Sequence, residues 1–219
     1  GGTVSKIKST LRYTKYKVYI AAPFNPQDKD IISNWKYEGD IEIINLPSRC
    51  IYNLPKSLFI LYKIVKKNNI RIVHSFFPYE MYIAFLLKQL NAKLKIIRSF
   101  EGNVKRSFPI RIASKIILPY FDKIIYISHY VKDFYEDITK KCKNKVIIDN
   151  AGNHICEYKT RKKGSICNIV SVAGLNEMKN VFMYAEIGKK LKEKGVKYSL
   201  KVVGNGPLYN QLKEKIKSY

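Results

Sequence analysis

Short β-branched runs alternate with amphipathic helical segments along this chain, and the alternation constrains its fold more than any other feature. "KVYIAAP", "IEIINL", "IRIVHS", "LKIIRS", "KIIYIS" and "KVIID" have the length and composition of strands. Between them stand "LPKSLFILYKIVKKNN", with Leu58, Leu61, Ile64 and Val65 as an apolar stripe beside a lysine face, then "YEMYIAFLLKQL", "IRIASKIILPY" and "HYVKDFYEDI". Over residues 3–15, Val4, Ile7 and Leu11 recur at helical spacing, so the chain is expected to open in a helix. Parallel neighbours need a crossover, and short strand–helix–strand connections supply one, so the pattern predicts an α/β fold built on doubly wound parallel sheets. "IRIVHS", a continuous apolar run, reads as a strand buried in such a sheet.

The alternation lapses where "EYKTRKKGS" becomes charged and loses its apolar period. The predicted organisation is a Rossmann-like domain over residues 1–150, a linker over 151–165 and a second Rossmann-like domain beginning at 166–219. "CNIVSVA", "VFMYAEIGKKLKEK", "YSLKVVG" and "LYNQLKEKIKSY" give this second domain two strand–helix units. Two units are too few to close a core on both faces of a sheet. The first domain opens on a helix where the pattern asks for a strand. The chain therefore reads as a fragment, with the first strand of one domain and most of the other outside it.

Composition limits the setting. Cys50, Cys142, Cys156 and Cys167 show no C-x-x-C pair, which argues against a zinc site or a disulfide scaffold and suggests reduced thiols in a cytoplasmic protein. No apolar run approaches the roughly 18 residues of a membrane span, so membrane contact would be peripheral, at the inner face. Lysine and arginine total 41 against 17 acidic residues, a net charge of +24 that suits anionic lipid or phosphorylated ligands. The abundance of Lys, Ile, Asn and Tyr, all with A/T-rich codons, offers a second source for that charge. Nucleic acid is not the expected partner.

In open α/β sheets, ligands bind outside the carboxyl ends of the strands, so the strand-to-helix turns hold the candidate residues. "SVAGLNEMKN" carries Gly174 in its turn and Lys179 at the mouth of a helix, where free N–H groups and a partial positive charge suit a phosphate. "VVGNGPL" places Gly204, Asn205 and Gly206 before Pro207, a good first helical residue. It lacks the third glycine of a dinucleotide fingerprint, because Tyr209 stands there. "SFEGN" carries Glu101, and "IRIVHS" ends near His74. Ser128 reads as the N-cap of the following helix, and neither His129 nor His154 is assigned a role. Asp28 and Asp30 form a D-x-D in a proline-containing loop, too short a match to predict a metal. No Walker A, H-E-x-x-H or nucleophile-elbow motif occurs.

In order along the chain, "GGTVSKIKSTLRYTKYKVYIAAP", "IRIVHSFFP", "FDKIIYISHYVKD", "KVIIDNAGN", "SVAGLNEMKN" and "LKVVGNGPLYNQL" resemble the GT-B glycosyltransferases, specifically their large retaining family four. The resemblance covers nearly the whole chain. It implies a nucleotide-sugar donor bound mainly by the second domain, transfer to an acceptor held by the first, retention at the anomeric carbon, and neither metal nor cofactor. Gly2 is then expected to face the donor diphosphate, Lys179 to pair with it, and Gly204 to Pro207 to lie beside it. The acceptor is a saccharide or a lipid-linked one, and His74 belongs on its side.

Three departures from the family stand out. Gly174 occupies the place of a common arginine, which leaves one cation where the family has two. Glu101 replaces a frequent histidine; as a carboxylate it can bond a sugar hydroxyl or serve as base toward the acceptor. The family's glutamate pair falls beyond the last residue of this chain. The leading expectation is a glycosyltransferase, of hexosyl type, in surface polysaccharide or glycolipid assembly. The alternatives are a non-catalytic basic protein docked on anionic membrane through helices such as "FPIRIASKIILPYF", and a nucleotide-sugar epimerase of similar architecture.

Overall fold

The computed structural model describes residues 14–24, 40–149 and 166–217. Gly2, the D-x-D at Asp28 to Asp30, the linker over 151–165 and nearly all of the helix expected over 3–15 lie outside these residues. The chain divides into two compact units, Gly1–Ile155 and Cys156–Tyr219.

In the first unit, β1 (Val18–Ala22) and β2 (Ile41–Asn45) pair in parallel, Val18 opposite Ile41 and Ala22 opposite Asn45. A four-stranded parallel sheet follows in the order β3 (Ile72–Ser75), β4 (Lys95–Phe100), β5 (Lys123–Tyr126) and β6 (Lys145–Ile147). Helices α1 (Leu54–Lys67), α2 (Pro78–Leu90), α3 (Phe108–Ile117), α4 (His129–Phe134) and α5 (Glu136–Thr139) make the connections. Their ends follow from sequence. Prolines stand in the first turns of α1, α2 and α3, where no N–H is required. Glu80 opens α2 and Lys88 closes it, matching the helix dipole. Ser128 caps α4 as expected, its Oγ accepting from Val131 N at 3.2 Å.

The core lies between α2 and the sheet: Met81, Ile83, Ala84 and Leu87 pack with Leu94, Ile96 and Ile124. A polar clamp closes one edge of it. The Asp122 carboxylate accepts from Ile96 N and Lys88 Nζ, both at 2.8 Å, and from Lys95 Nζ at 3.1 Å.

Two expectations need correction. β3 is not a fully buried strand: it lies at the margin of the four-stranded order, with Ile72 and His74 exposed and Ser75 buried. "HYVKDFYEDI" is two helices, broken at Tyr135 (φ −103°, ψ 6°). The Tyr135 ring is buried and its hydroxyl is tied to the loop after β4.

In the second unit β7 (Cys167–Val172) and β8 (Tyr198–Val203) pair in parallel, and α6 (Met183–Glu193) makes the crossover between them. α7 (Tyr209–Lys217) follows. Leu175, Val181, Leu208 and Leu212 form a small core. Val170, Val172 and Val203 stay exposed, so this pair of strands buries little of its apolar surface on that side.

Candidate functional site

The turns after β7 and β8 interlock through their backbones. Ala173 N donates to Val203 O at 3.1 Å, Leu175 N to Asn205 O at 2.9 Å, and Leu208 N to Leu175 O at 3.0 Å. Asn205 folds its Oδ1 back to accept from Gly206 N at 2.8 Å. The approach is so close that a Cβ on Gly204 would stand 1.9 Å from Ala173 O, and one on Gly206 2.3 Å from Leu175 O. Both glycines are thus required by packing of turn on turn. Gly174 is different: a Cβ there meets only Asn176 Nδ2, at an ordinary 3.5 Å. Space does not demand glycine at that position.

Lys179 follows in the segment after β7, but not as the first residue of a helix. It closes a 3-10 turn, Glu177–Lys179, and Asn180 in the left-handed region (φ 45°) separates it from α6. Its side chain is exposed and makes no hydrogen bond or ion pair among the described residues. Beside it the Asn176 Oδ1 is buried without a hydrogen-bond partner. Gly174, Gly204, Asn205 and Gly206 are therefore gathered at the carboxyl ends of two adjacent parallel strands, and Lys179 ends the 3-10 turn that follows the first of them.

In the first unit, His74 and Glu101 stand at the carboxyl ends of neighbouring strands β3 and β4. His74 Nε2 lies 2.7 Å from Ser99 Oγ, and its ring stacks on Phe76 with centroids 4.4 Å apart. Glu101 is half-buried at the head of a loop held from beneath by Tyr135. That hydroxyl donates toward the carbonyls of Gly102 and Val104, each at 3.0 Å, and accepts from Val104 N at 3.1 Å. The Tyr135 ring packs on Phe100, centroids 4.2 Å apart, and Phe100 stacks in turn on Tyr126. A rigid aromatic floor thus underlies the Glu101 loop.

Arg98 was hidden in the sequence, inside a run that reads only as strand. Its side chain is 1% exposed, its guanidinium carbon lies 4.9 Å from the Phe100 ring centre, and its Nε and Nη1 have no hydrogen-bond partner. Burial, then the positive charge of Arg106, lower its pKa to about 9 against the opposing pull of Glu80, Tyr135 and Glu101. Glu80 Oε1 accepts from Arg49 Nε at 2.7 Å, while its Oε2 is buried and unpartnered. An open depression of about 560 Å³, lined by His129, Lys132, Lys143, Lys145, Val146 and Ile147, adds a basic surface beside β6. Among the described residues, no cluster of three His, Cys, Asp or Glu side chains is suited to a metal.

No family model matches the chain, and no curated protein does. Solved structures do. A glycosyltransferase from Rickettsia africae superposes with a TM-score of 0.74 over 100% of this chain at 18% identity. The chain has the fold of the GT-B glycosyltransferases. Anabaena HepE, solved with UDP and glucose, matches with a TM-score of 0.67 over 100% of the chain at 10% identity. The lipopolysaccharide outer core galactosyltransferase WaaB matches with 0.55 over 92% at 13% identity. The chain spans 61%, 63% and 64% of the length of these three proteins.

Proposed function

We propose that this chain is part of a glycosyltransferase that moves a sugar, of hexosyl type, from a nucleotide-sugar to a saccharide or lipid-linked acceptor. The observation that carries the reading is the pair of interlocked glycine turns at the ends of β7 and β8, with Lys179 closing the 3-10 turn that follows β7. Backbone stripped of side chains at strand ends suits a diphosphate, and a lysine adds a point charge where negative charge grows as the nucleoside diphosphate departs. HepE holds UDP and glucose on the same fold, which supports a nucleotide-sugar as donor.

Within this reading the transfer retains configuration and uses no metal, so Lys179 does the electrostatic work a metal does elsewhere. Glu101, on its braced loop, takes the proton of the acceptor hydroxyl or orients it, and His74 lines the acceptor side. The setting is surface polysaccharide or glycolipid assembly. Gly2 is assigned to the diphosphate by resemblance alone.

UDP and UDP-sugar binding to the full chain tests the proposal, with Lys179→Ala as the variant. Loss of one charge-assisted contact predicts roughly tenfold weaker binding or more; unchanged affinity would remove Lys179 from the donor site. Product analysis separates the epimerase alternative, since that enzyme returns an isomerised donor and transfers nothing.

A further inference from the structure

Helix α3 carries apolar residues on its outward side as well as on its inward one. Its inward side holds Ser114 with the half-buried Ile110 and Ile117, Ile117 packing on the core, and fully buried Leu118 follows at the helix end. Its outward side is Phe108, Ile112 and Ile116, which are 75%, 45% and 62% exposed. Spaced by four residues, they lie on one face and form an apolar ridge about 12 Å long. Val104 before the helix and Tyr120 after it are also exposed. Single exposed apolar residues are ordinary on soluble proteins, whereas a contiguous stripe of them marks a contact surface.

Charge identifies the contact. α3 carries Arg111 and Lys115 and no acidic residue, and Lys105 and Arg106 precede it. Arg111 and Lys115 both reach Asp137, Lys115 at 3.7 Å, so one positive charge of that group remains uncompensated. Their side chains are still 44% and 53% exposed, with aliphatic stems long enough to lie along an interface while the charged heads reach outward. The whole chain carries +24. Among the described residues no helix is long and apolar enough to cross a bilayer. An apolar ridge with a basic flank, on a strongly cationic chain, matches a surface that offers hydrocarbon and negative charge together without demanding a fixed shape.

We infer that the outward face of α3 docks on an anionic lipid bilayer, with Phe108, Ile112 and Ile116 entering the headgroup boundary and the basic flank meeting lipid phosphates. Membrane binding by this face does not depend on the donor turns, so failure to bind a nucleotide leaves it untouched. It also gives a lipid-linked acceptor a route to the protein.

The test is co-sedimentation of the full chain with phosphatidylcholine vesicles and with vesicles containing phosphatidylglycerol, at low and at ~0.15 M salt. Binding at least roughly tenfold stronger to the anionic vesicles, weakening with salt, is expected. Phe108→Ser/Ile112→Ser/Ile116→Ser should reduce it by about tenfold or more while the far-UV spectrum and melting temperature hold. Should the triple variant melt early, Ile116→Ser alone is expected to weaken binding several-fold. Equal binding to both vesicle types overturns the inference, as does a folded triple variant that binds as the wild type. So does a wild type that ignores vesicles but dimerises through this face.

Discussion

Gly204 and Ala173 meet backbone to backbone, so closely that a single added methyl group would stand 1.9 Å from the Ala173 carbonyl oxygen. The contact joins the turn after β8 to the turn after β7, and with Gly206 against Leu175 it fixes the floor of the candidate donor site. It leads to a graded prediction. Gly204→Ala and Gly206→Ala force backbone apart and are each expected to cost about 2 kcal/mol or more, read as a lower urea midpoint. Gly174→Ala, with only a 3.5 Å contact to Asn176, should be nearly neutral. Gly174→Arg should fold equally well and strengthen UDP binding by supplying a second cation; a fold as damaged as that of Gly204→Ala would contradict the assignment.

The alternation of β-branched runs and amphipathic helices was enough to read the parallel α/β architecture, because periods of two and of 3.6 residues are local signals. Strand order is not local. "IRIVHS" has the apolar continuity of a buried strand, yet its place at the margin of the β3-β4-β5-β6 order is set by which crossovers pack, so Ile72 and His74 end exposed. The break at Tyr135 was invisible for a similar reason: the local pattern continues as helix while a hydroxyl bonds a loop some thirty residues earlier in the chain. The glycines of the turns after β7 and β8 were legible as glycines before helices. Their physical cause, one turn packed against another, was not, and neither was the left-handed Asn180 that detaches Lys179 from α6. Arg98 gave no signal at all, since one arginine in a strand ordinarily faces solvent.

Tyr135 offers a clean separation of ring from hydroxyl. Tyr135→Phe keeps the stack on Phe100 and removes the bonds to Gly102 and Val104, leaving the Val104 N–H without its acceptor. A loss of about 1–3 kcal/mol is expected. Amide exchange should quicken in the loop holding Glu101 and stay unchanged in β4 itself. If Glu101 serves the acceptor, the same variant lowers kcat with little change in donor KM. Exchange that quickens throughout the sheet would show that the hydroxyl supports the whole core rather than the loop.

Asp122 is expected to contribute to the acid limb of stability. Burial raises its pKa, but hydrogen bonds from Lys88, Ile96 N and Lys95 outweigh burial and hold it below the ordinary value. The folded state therefore binds this proton less readily than the unfolded chain, and the stabilisation is fully present above the unfolded pKa of about 4. It is lost as pH falls from there through the folded pKa. Asp122→Asn removes the charge-assisted bonds at neutral pH and should flatten this limb, so the stability gap between wild type and variant is expected to shrink as pH drops below about 4. A gap that stays constant with pH assigns the loss to packing instead.

Arg98 tests whether a buried charge helps the fold that contains it. Its Nε and Nη1 are unpartnered, its charge is penalised first by burial and then by Arg106, and it lies in the same core as Ile96 and Phe100. Taking such an ion out of water costs on the order of several kcal/mol, a penalty that an apolar side chain of similar length does not carry. Arg98→Met is therefore expected to raise the urea midpoint. The pH dependence gives a second readout. With a folded pKa near 9, Arg98 is charged in both states at neutral pH and the full penalty is present; above pH 9 the folded protein releases the proton first and stability rises. The advantage of Arg98→Met should accordingly be greatest at neutral pH and narrow as pH climbs past 9. A variant less stable than wild type at pH 7 would instead mean that Arg98 holds Glu80 and Glu101 in place, and that its positive charge is part of how this end of the sheet is organised.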